Sequence, residues 1–130
     1  YALVIPLLAL FLSDLVIGFY KGMPFIYGSF LLIGIIGLLI KKDPSPKLII
    51  VATFLSSFLF FLITNFGVWL LGTLYPKTVP GIIMCYSAAL PFFRNTILGD
   101  FLFMGLFVLG YRTLLLIAQN IKLATLPRKE

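Results

Sequence analysis

The chain has 130 residues, of which 62% are hydrophobic and only 11% are charged. Because soluble domains carry about 25% charged residues, this composition excludes a soluble globular domain and predicts an integral membrane protein. The net charge of +6 comes from basic residues that flank apolar spans, so we expect a lipid bilayer as partner and no nucleic acid.

The residue types that are missing exclude most kinds of chemistry. The chain contains no histidine and one cysteine, Cys85, which excludes histidine-ligated haem or zinc and an internal disulfide. The sequence also shows no nucleophile–base pair, no phosphate-binding loop and no paired carboxylates. We therefore expect no metal site, no cofactor and no enzyme activity.

The first half of the chain predicts a helical hairpin followed by a third span. Tyr1–Phe19 and Phe25–Ile40 are each close to the ~20 residues that cross a bilayer, and a turn joins them. Because the chain begins inside an apolar run, without Met or a basic leader, we expect a further segment upstream. After the charged loop Lys41–Lys47 comes Leu48–Leu74, which is longer than a bilayer requires and is expected to tilt, kink or end early.

The second half of the chain is less regular. A proline-containing loop precedes Ile82–Phe93, which is too short for a comfortable crossing and favours a partial or distorted one. The last span runs from about Asn95 to Ala118, and the tail Gln119–Glu130 is polar and basic. The prediction is an all-α membrane helix bundle with four to five membrane segments in a single domain, residues 1–130.

The distribution of basic residues predicts the orientation of the chain. The Lys41–Lys47 loop and the tail after Gln119 share a basic excess, so both are expected on the cytoplasmic side. In that case Ile82–Phe93 does not cross the membrane completely. If it does cross, one of the two basic clusters lies outside.

Residues 64–100 hold the only tryptophan and most of the polar residues that stand among apolar ones, so we expect a binding site there. Asn65 and Trp69 are four residues apart and share a helical face. An amide beside an indole suits a small ring-containing ligand. The alternative is an interhelical hydrogen bond and a tryptophan at the membrane interface, where Tyr75 is also expected.

Arg94 and Asn95 precede the last predicted span. Asn95 is a favourable N-cap, and a helix start beside an arginine forms an anion site. The alternative is a capped helix with an interfacial arginine. Asp100 lies one turn beyond Thr96 and is expected to bond to it or to pair with Arg94.

Asp14 is the only charge in the first span, where an ionisable residue costs roughly 2.5–3.5 kcal/mol. We expect it to contact a ligand or to pair with Arg94. The alternative is a position near the interface, or hydrogen bonds to Ser13 and the neighbouring backbone.

These residues predict one polar pocket near the non-cytoplasmic surface. The Asn65–Trp69 face and the Arg94–Asn95 helix start are expected to border it, and it suits a small, partly anionic or ring-containing ligand. The candidate substrate-binding residues are Asp14, Asn65, Trp69, Tyr75, Arg94, Asn95 and Asp100.

Three motifs carry a resemblance to a known family. They are SDLVIGFYKGM (13–23), TNFGVWL (64–70) and YPKTVPGIIMCYSAALPFFRNTILGD (75–100). They resemble a bacterial family of uncharacterised multi-pass membrane proteins that are labelled as transport proteins. That family is similar to the substrate-binding S components of energy-coupling-factor (ECF) vitamin transporters, and the resemblance covers nearly the whole chain.

The resemblance implies a six-helix bundle in the bacterial cytoplasmic membrane. Such a bundle binds a vitamin or metal ion near its outer face and docks on a shared energising module, and this chain would supply five of its segments. The chain departs from S components because it lacks recognisable vitamin-specific residues. A six-helix topology with both ends inside would also place the 41–47 loop outside, contrary to its charge.

Two functions remain open from the sequence. The first is a substrate-binding transport subunit for a small molecule, with an energising module as its partner. The second is a non-catalytic accessory subunit that packs against a larger respiratory or photosynthetic membrane complex. The first predicts a cavity lined by the candidate residues, whereas the second predicts that the polar residues satisfy one another and that small-residue helix faces contact a partner.

Overall fold

The computed structural model describes residues 3–40 and 45–124, and this part of the chain is helical apart from short links. The all-α prediction is confirmed. Residues 41–44 and 125–130, which include much of the two predicted basic clusters, lie outside the described residues. The four helices are α1 (Val4–Ile17), α2 (Met23–Ile40), α3 (Pro46–Leu71) and α4 (Val79–Ala124).

Three helix boundaries follow directly from the local sequence. Ser45 caps α3, because its hydroxyl accepts a hydrogen bond from the Leu48 N–H at 3.3 Å and a proline follows at the first helical position. Thr78 caps α4 in the same way by accepting from the Gly81 N–H at 3.3 Å. Gly18 ends α1 with a φ of 99°, a conformation that side chains with a Cβ rarely adopt.

α2 and α3 form an antiparallel pair that depends on close packing. Phe25 near the start of α2 lies over Gly67 near the end of α3, where a Cβ would come within 2.6 Å of the Phe25 ring. Farther along, the edge of Phe30 meets Phe60 with ring centroids 5.9 Å apart. Ser29 is fully buried beside them and donates to the Phe25 carbonyl at 2.6 Å. Small residues therefore let the two backbones approach each other.

α4 is one continuous helix of 46 residues, which extends about 69 Å at 1.5 Å per residue. The predictions of a separate segment Ile82–Phe93 and of a helix start at Asn95 are therefore wrong. Pro91 lies inside the helix and removes one backbone hydrogen bond. Prolines are tolerated in membrane helices, because in lipid only a helix satisfies the other backbone groups. The third predicted span, Leu48–Leu74, does not end at Asn65 or Gly67, since α3 continues through both residues to Leu71.

α4 packs antiparallel against α3. The Tyr86 hydroxyl donates to the Leu62 carbonyl at 2.6 Å, and Pro46 and Arg112 border the same small cavity. The start of α3 and the C-terminal part of α4 thus lie at one end of the bundle, which we call the basic end. The links 18–22 and 72–78 lie at the other end, the turn end.

The helix lengths and exposed surfaces identify a membrane protein. α2, α3 and the Val79–Ile121 part of α4 are long and apolar enough to cross a bilayer. α1, with 14 residues, extends about 21 Å and is shorter than the ~30 Å hydrocarbon core. Large apolar side chains are exposed along all four helices, as expected of a surface that faces lipid.

The interior of the described bundle is more polar than its surface. Four of the buried residues are polar or charged, and each makes a hydrogen bond. This pattern suits a membrane helix bundle, where small hydroxyl residues allow close packing and apolar residues face outward. The buried residues other than glycine are Asp14, Ser29, Ala52, Thr53, Ser57, Phe61 and Cys85.

Candidate functional site

A large cavity lies between α2 and α4, above the surface of α3. α2 and α4 both pack against α3 but make no close backbone contact with each other. The gap between them encloses about 580 Å³. Its lining consists of Pro6, Phe30, Ile33, Ile36, Gly37, Ile40, Ile49, Ala52, Thr53, Ser56, Phe60, Thr96, Asp100, Phe103, Met104 and Phe107.

The cavity lies in the half of the bundle nearer the basic end. Its walls include Ile40 at the end of α2, Ile49 in the first turn of α3 and Phe107 beyond the middle of α4. Only Pro6 of α1 reaches it. The prediction placed the site near the opposite, turn end of the bundle.

The α3 side of the cavity carries a cluster of hydroxyl residues. Thr53, Ser56 and Ser57 share one helical face through their i, i+3 and i+4 spacing. Thr53 donates to the Ile49 carbonyl at 2.8 Å, and Ser57 lies 2.9 Å from the Thr53 carbonyl. These bonds satisfy hydroxyls that would otherwise be costly to place among apolar side chains.

Asp100 is the only acidic residue among the described residues that line this cavity. Its Oδ2 accepts a hydrogen bond from the Ser57 hydroxyl at 2.6 Å. Ser57 has a single hydroxyl proton, and the Thr53 carbonyl competes for it at 2.9 Å. Ser57 is 1% exposed, whereas Asp100 is open to the cavity. Asp100 therefore retains room to accept hydrogen bonds from a bound molecule.

The chemistry of the lining selects the kind of molecule that fits. Most of the wall is aliphatic or aromatic, with a few hydroxyls and one carboxyl group. A compact apolar molecule with a positive charge or a hydrogen-bond donor would meet complementary groups, whereas an anion would face Asp100. No group of three metal-ligating side chains is found among the described residues.

Asp14 is buried, at 4% exposure, and its carboxylate accepts a hydrogen bond from the Tyr27 hydroxyl at 2.8 Å. This bond joins α1 to α2. The predicted pairing of Asp14 with Arg94 is wrong, because α1 makes no close backbone contact with α4 in the described residues. Partial desolvation raises the pKa of the Tyr20 phenol in the adjoining link, and the negative charge of Asp14 raises it further.

Asn65, Trp69 and Tyr75 lie toward the turn end, away from the Asp100 cavity. The Asn65 amide donates to the Phe61 carbonyl of its own helix at 2.8 Å. The Trp69 indole donates to the Pro76 carbonyl at 3.0 Å and thereby closes the 72–78 link, in which Tyr75 lies. Asn65 and Trp69 are thus bonded within α3 and to the link that follows it.

Arg94 and Asn95 lie in the middle of α4 and are exposed. Because the helix continues through them, the predicted N-cap and anion site do not form. The predicted pocket between these residues and the Asn65–Trp69 face is also not formed, since Asn65 bonds within α3 and Arg94 lies on an exposed surface of α4. Asp100 contacts Ser57 instead of Thr96, whose hydroxyl donates to the Phe92 carbonyl at 3.1 Å.

A family model covers nearly the whole of this fold. Residues 1–123 match DUF6580, which is described as a family of unknown function. The chain belongs to DUF6580. Neither the curated proteins nor the solved structures contain a match to it. The description of the family assigns no activity to its members.

Asp100 of this DUF6580 chain, a predicted site residue, lines the cavity, whereas the residues around it were not predicted. Thr53, Ser56 and Ser57 lie in a span that reads as uniformly apolar apart from its hydroxyls. The signal that was present is their i, i+3, i+4 spacing, which places three hydroxyls on one helical face. Gly37 also lines the cavity, and a Cβ added there would meet no atom within 4 Å.

Proposed function

We propose that this DUF6580 chain is a substrate-binding subunit of a membrane transport system. Its substrate is a small molecule with an apolar, ring-sized body and a positively charged or hydrogen-bond-donating group. The observation that carries the proposal is the cavity of about 580 Å³ with Asp100 in its wall.

Size and composition support a binding cavity. Small-molecule sites commonly enclose about 300–1,000 Å³ and combine apolar walls with a few polar groups that orient the ligand. The wall formed by Phe30, Phe60 and Phe103 provides the apolar part. Asp100 provides a hydrogen-bond acceptor, and the hydrogen bond that it accepts from Ser57 fixes its position.

The transport assignment rests on the motif resemblance to ECF S components and on the membrane fold. In this proposal the chain lies in the bacterial cytoplasmic membrane with its basic end inside, and an energising module is its partner. A cavity near the basic end then corresponds to a conformation in which the substrate is held on the cytoplasmic side of the bundle. The resemblance implies a vitamin or a metal ion as substrate. This proposal differs, because Asp100 favours a positively charged or hydrogen-bond-donating molecule.

Filling the cavity tests the proposal. Gly37→Leu introduces a side chain into the cavity without a close contact to its Cβ, and Gly28→Leu makes the same change at a glycine with equal room that does not line the cavity. In nanodiscs, phenethylamine is expected to raise the thermal midpoint of the wild type and of Gly28→Leu but not of Gly37→Leu. Equal responses of the two variants would contradict the proposal.

Ligand charge provides the second arm of the experiment. Phenylacetate, which has a similar ring and the opposite charge, is expected to give a much smaller rise than phenethylamine. Asp100→Asn should remove that preference, whereas Asp14→Asn, which keeps an acceptor for Tyr27, should preserve it. Equal binding of both probes, with no effect of Asp100→Asn, would instead favour the accessory-subunit function.

A further inference from the structure

Arg94 lies at half the height of the bundle. The neighbouring Phe93 packs against Phe58 and Phe61, with ring centroids 6.2 and 4.4 Å apart, and both partners lie near the middle of α3. α3 has 26 residues and extends about 39 Å, so it covers the whole ~30 Å hydrocarbon core. Arg94 is therefore about 15 Å from either edge of the core, half its thickness.

The face of α4 that carries Arg94 is separate from the face that contacts α3. Tyr86, Phe93 and Asp100 recur every seven residues and contact α3. At 100° per residue, a second set of residues lies about 100–160° around the helix from this contact line. All of them are exposed, and Ser87 also borders a groove beside Phe61 of α3. We call this set the outer face of α4, and its members are Ser87, Pro91, Arg94, Asn95 and Leu98.

The outer face groups several polar residues on one exposed surface at lipid depth. Arg94 offers five N–H donors, and the Asn95 amide is both donor and acceptor. Pro91 has no backbone N–H, so the Ser87 carbonyl on the same face lacks its helical donor. Donors and acceptors are thus grouped on an exposed helix surface at mid-membrane height.

A charge in this position requires a covering group. Ionisable side chains inside a membrane almost always face protein or water and pair with another group, because exposure to hydrocarbon is costly. Asp14 is engaged by Tyr27, and Asp100 is engaged by Ser57 on the opposite side of α4. Lipid phosphates lie at the bilayer surfaces, beyond the reach of a side chain at this depth.

We propose that the outer face of α4 binds a transmembrane helix of another subunit that carries an aspartate or glutamate at mid-bilayer depth. Charge complementarity selects this partner over a second copy of the chain. Two copies related by an axis along the membrane normal would place their Arg94 side chains at the same depth, where like charges repel. The proposal does not depend on the ligand cavity, which lies on the other side of α4.

A designed helix tests the proposal without knowledge of the natural partner. The probe is a poly-leucine transmembrane peptide with one central glutamate, and its matched controls carry leucine or lysine at that position. Association with the full chain in liposomes is measured by energy transfer from a label on the peptide to a label at Gln119→Cys. The glutamate peptide is expected to bind about three- to fifteen-fold more tightly than the leucine peptide, the range of polar contacts between membrane helices.

Substitutions at two arginines of α4 distinguish the outer face from a general effect of charge. Arg94→Gln should remove the preference for the glutamate peptide, whereas Arg112→Gln, the same change at the basic end, should leave it intact. Arg94→Glu should transfer the preference to the lysine peptide. Equal binding of the glutamate and leucine peptides, preference that survives Arg94→Gln, or self-association of the chain that depends on Arg94 would overturn the proposal.

Discussion

The Ser57 hydroxyl donates to the Asp100 carboxylate at 2.6 Å, although the two residues are 43 positions apart in the chain. This bond joins the middle of α3 to α4 at the wall of the cavity between α2 and α4. Ser57 is 1% exposed and Asp100 faces the open side. Ser57 therefore contributes to the packing of the two helices, while Asp100 remains available for a ligand.

Removing the Ser57 hydroxyl should weaken the α3–α4 interface. Ser57→Ala leaves Asp100 without its described donor, and we expect a loss of about 0.6–2 kcal/mol in the free energy of unfolding, the range of side-chain hydrogen bonds between membrane helices. Ser56→Ala is the matched control, because Ser56 lines the cavity and makes no described side-chain hydrogen bond to another helix. Unfolding is followed in detergent by circular dichroism.

A double-mutant cycle separates this bond from general packing effects. If Ser57 and Asp100 interact, the losses caused by Ser57→Ala and by Asp100→Ala, which removes the acceptor, should combine to less than their sum. Simple additivity of the two losses would show that the contact contributes nothing to stability.

The helical class and the membrane location could be read from the sequence because both depend on composition. Long apolar runs predict spanning helices whatever their neighbours are. The cap at Ser45 and the turn around Gly18 also depend only on nearby residues. Each corresponds to a break in the apolar pattern. These parts of the fold need no knowledge of tertiary contacts.

The continuity of α4 and the position of the site could not be read in this way. Pro91 and the Arg94–Asn95 pair resemble a helix boundary by local rules, yet in lipid the helix continues because broken backbone bonds would remain unsatisfied. Asp100 was predicted as a site residue, but its hydrogen-bond partner Ser57 lies on another helix and could not be predicted from local sequence. The hydrogen bonds of Asp14 and Trp69 likewise depend on which segments become neighbours.

Gly67 should tolerate no larger residue while Phe25 is present. A Cβ at Gly67 would come within 2.6 Å of the Phe25 ring, and overpacking of this kind costs typically about 1–3 kcal/mol. We expect Gly67→Ala to lower the thermal midpoint in detergent and Phe25→Leu to restore part of the loss. Gly28→Ala is the control, since a Cβ there meets nothing within 4 Å. A similar loss at Gly28 would show that the effect comes from the helix backbone.

Tyr27 should be required to hold α1 against α2. Tyr27→Phe removes the described donor to the buried Asp14 carboxylate, so we expect a lower thermal midpoint and increased proteolysis of the 18–22 link. Tyr20→Phe, a similar change at an exposed tyrosine in that link, is the control. If Tyr27→Phe behaves like Tyr20→Phe, Asp14 has another partner.

The antiparallel packing of α3 and α4 predicts the sidedness of three positions. Ser45→Cys and Gln119→Cys should be labelled from the same side of the membrane, and Thr73→Cys in the 72–78 link should be labelled from the other. The measurement uses a membrane-impermeant maleimide on cells and on inverted vesicles, in a Cys85→Ala background. The charge rule places Ser45 and Gln119 in the cytoplasm. Labelling of Ser45 and Gln119 from opposite sides would contradict the antiparallel packing of α3 and α4.

Trp69 should report on the turn end of the bundle and not on the ligand. Lys77 lies 5.5 Å above its ring and donates to the Trp69 carbonyl and, at 2.7 Å, to the Gly72 carbonyl, so a cation covers the free carbonyls at the C-terminus of α3. We expect Lys77→Met to shift the fluorescence of this single tryptophan to longer wavelength, whereas Lys21→Met at the same end should not. Phenethylamine bound beside Asp100 should leave the emission unchanged, because the cavity lies nearer the basic end. A saturable change of Trp69 emission on adding phenethylamine would restore the predicted site at Asn65 and Trp69 and contradict the cavity at Asp100.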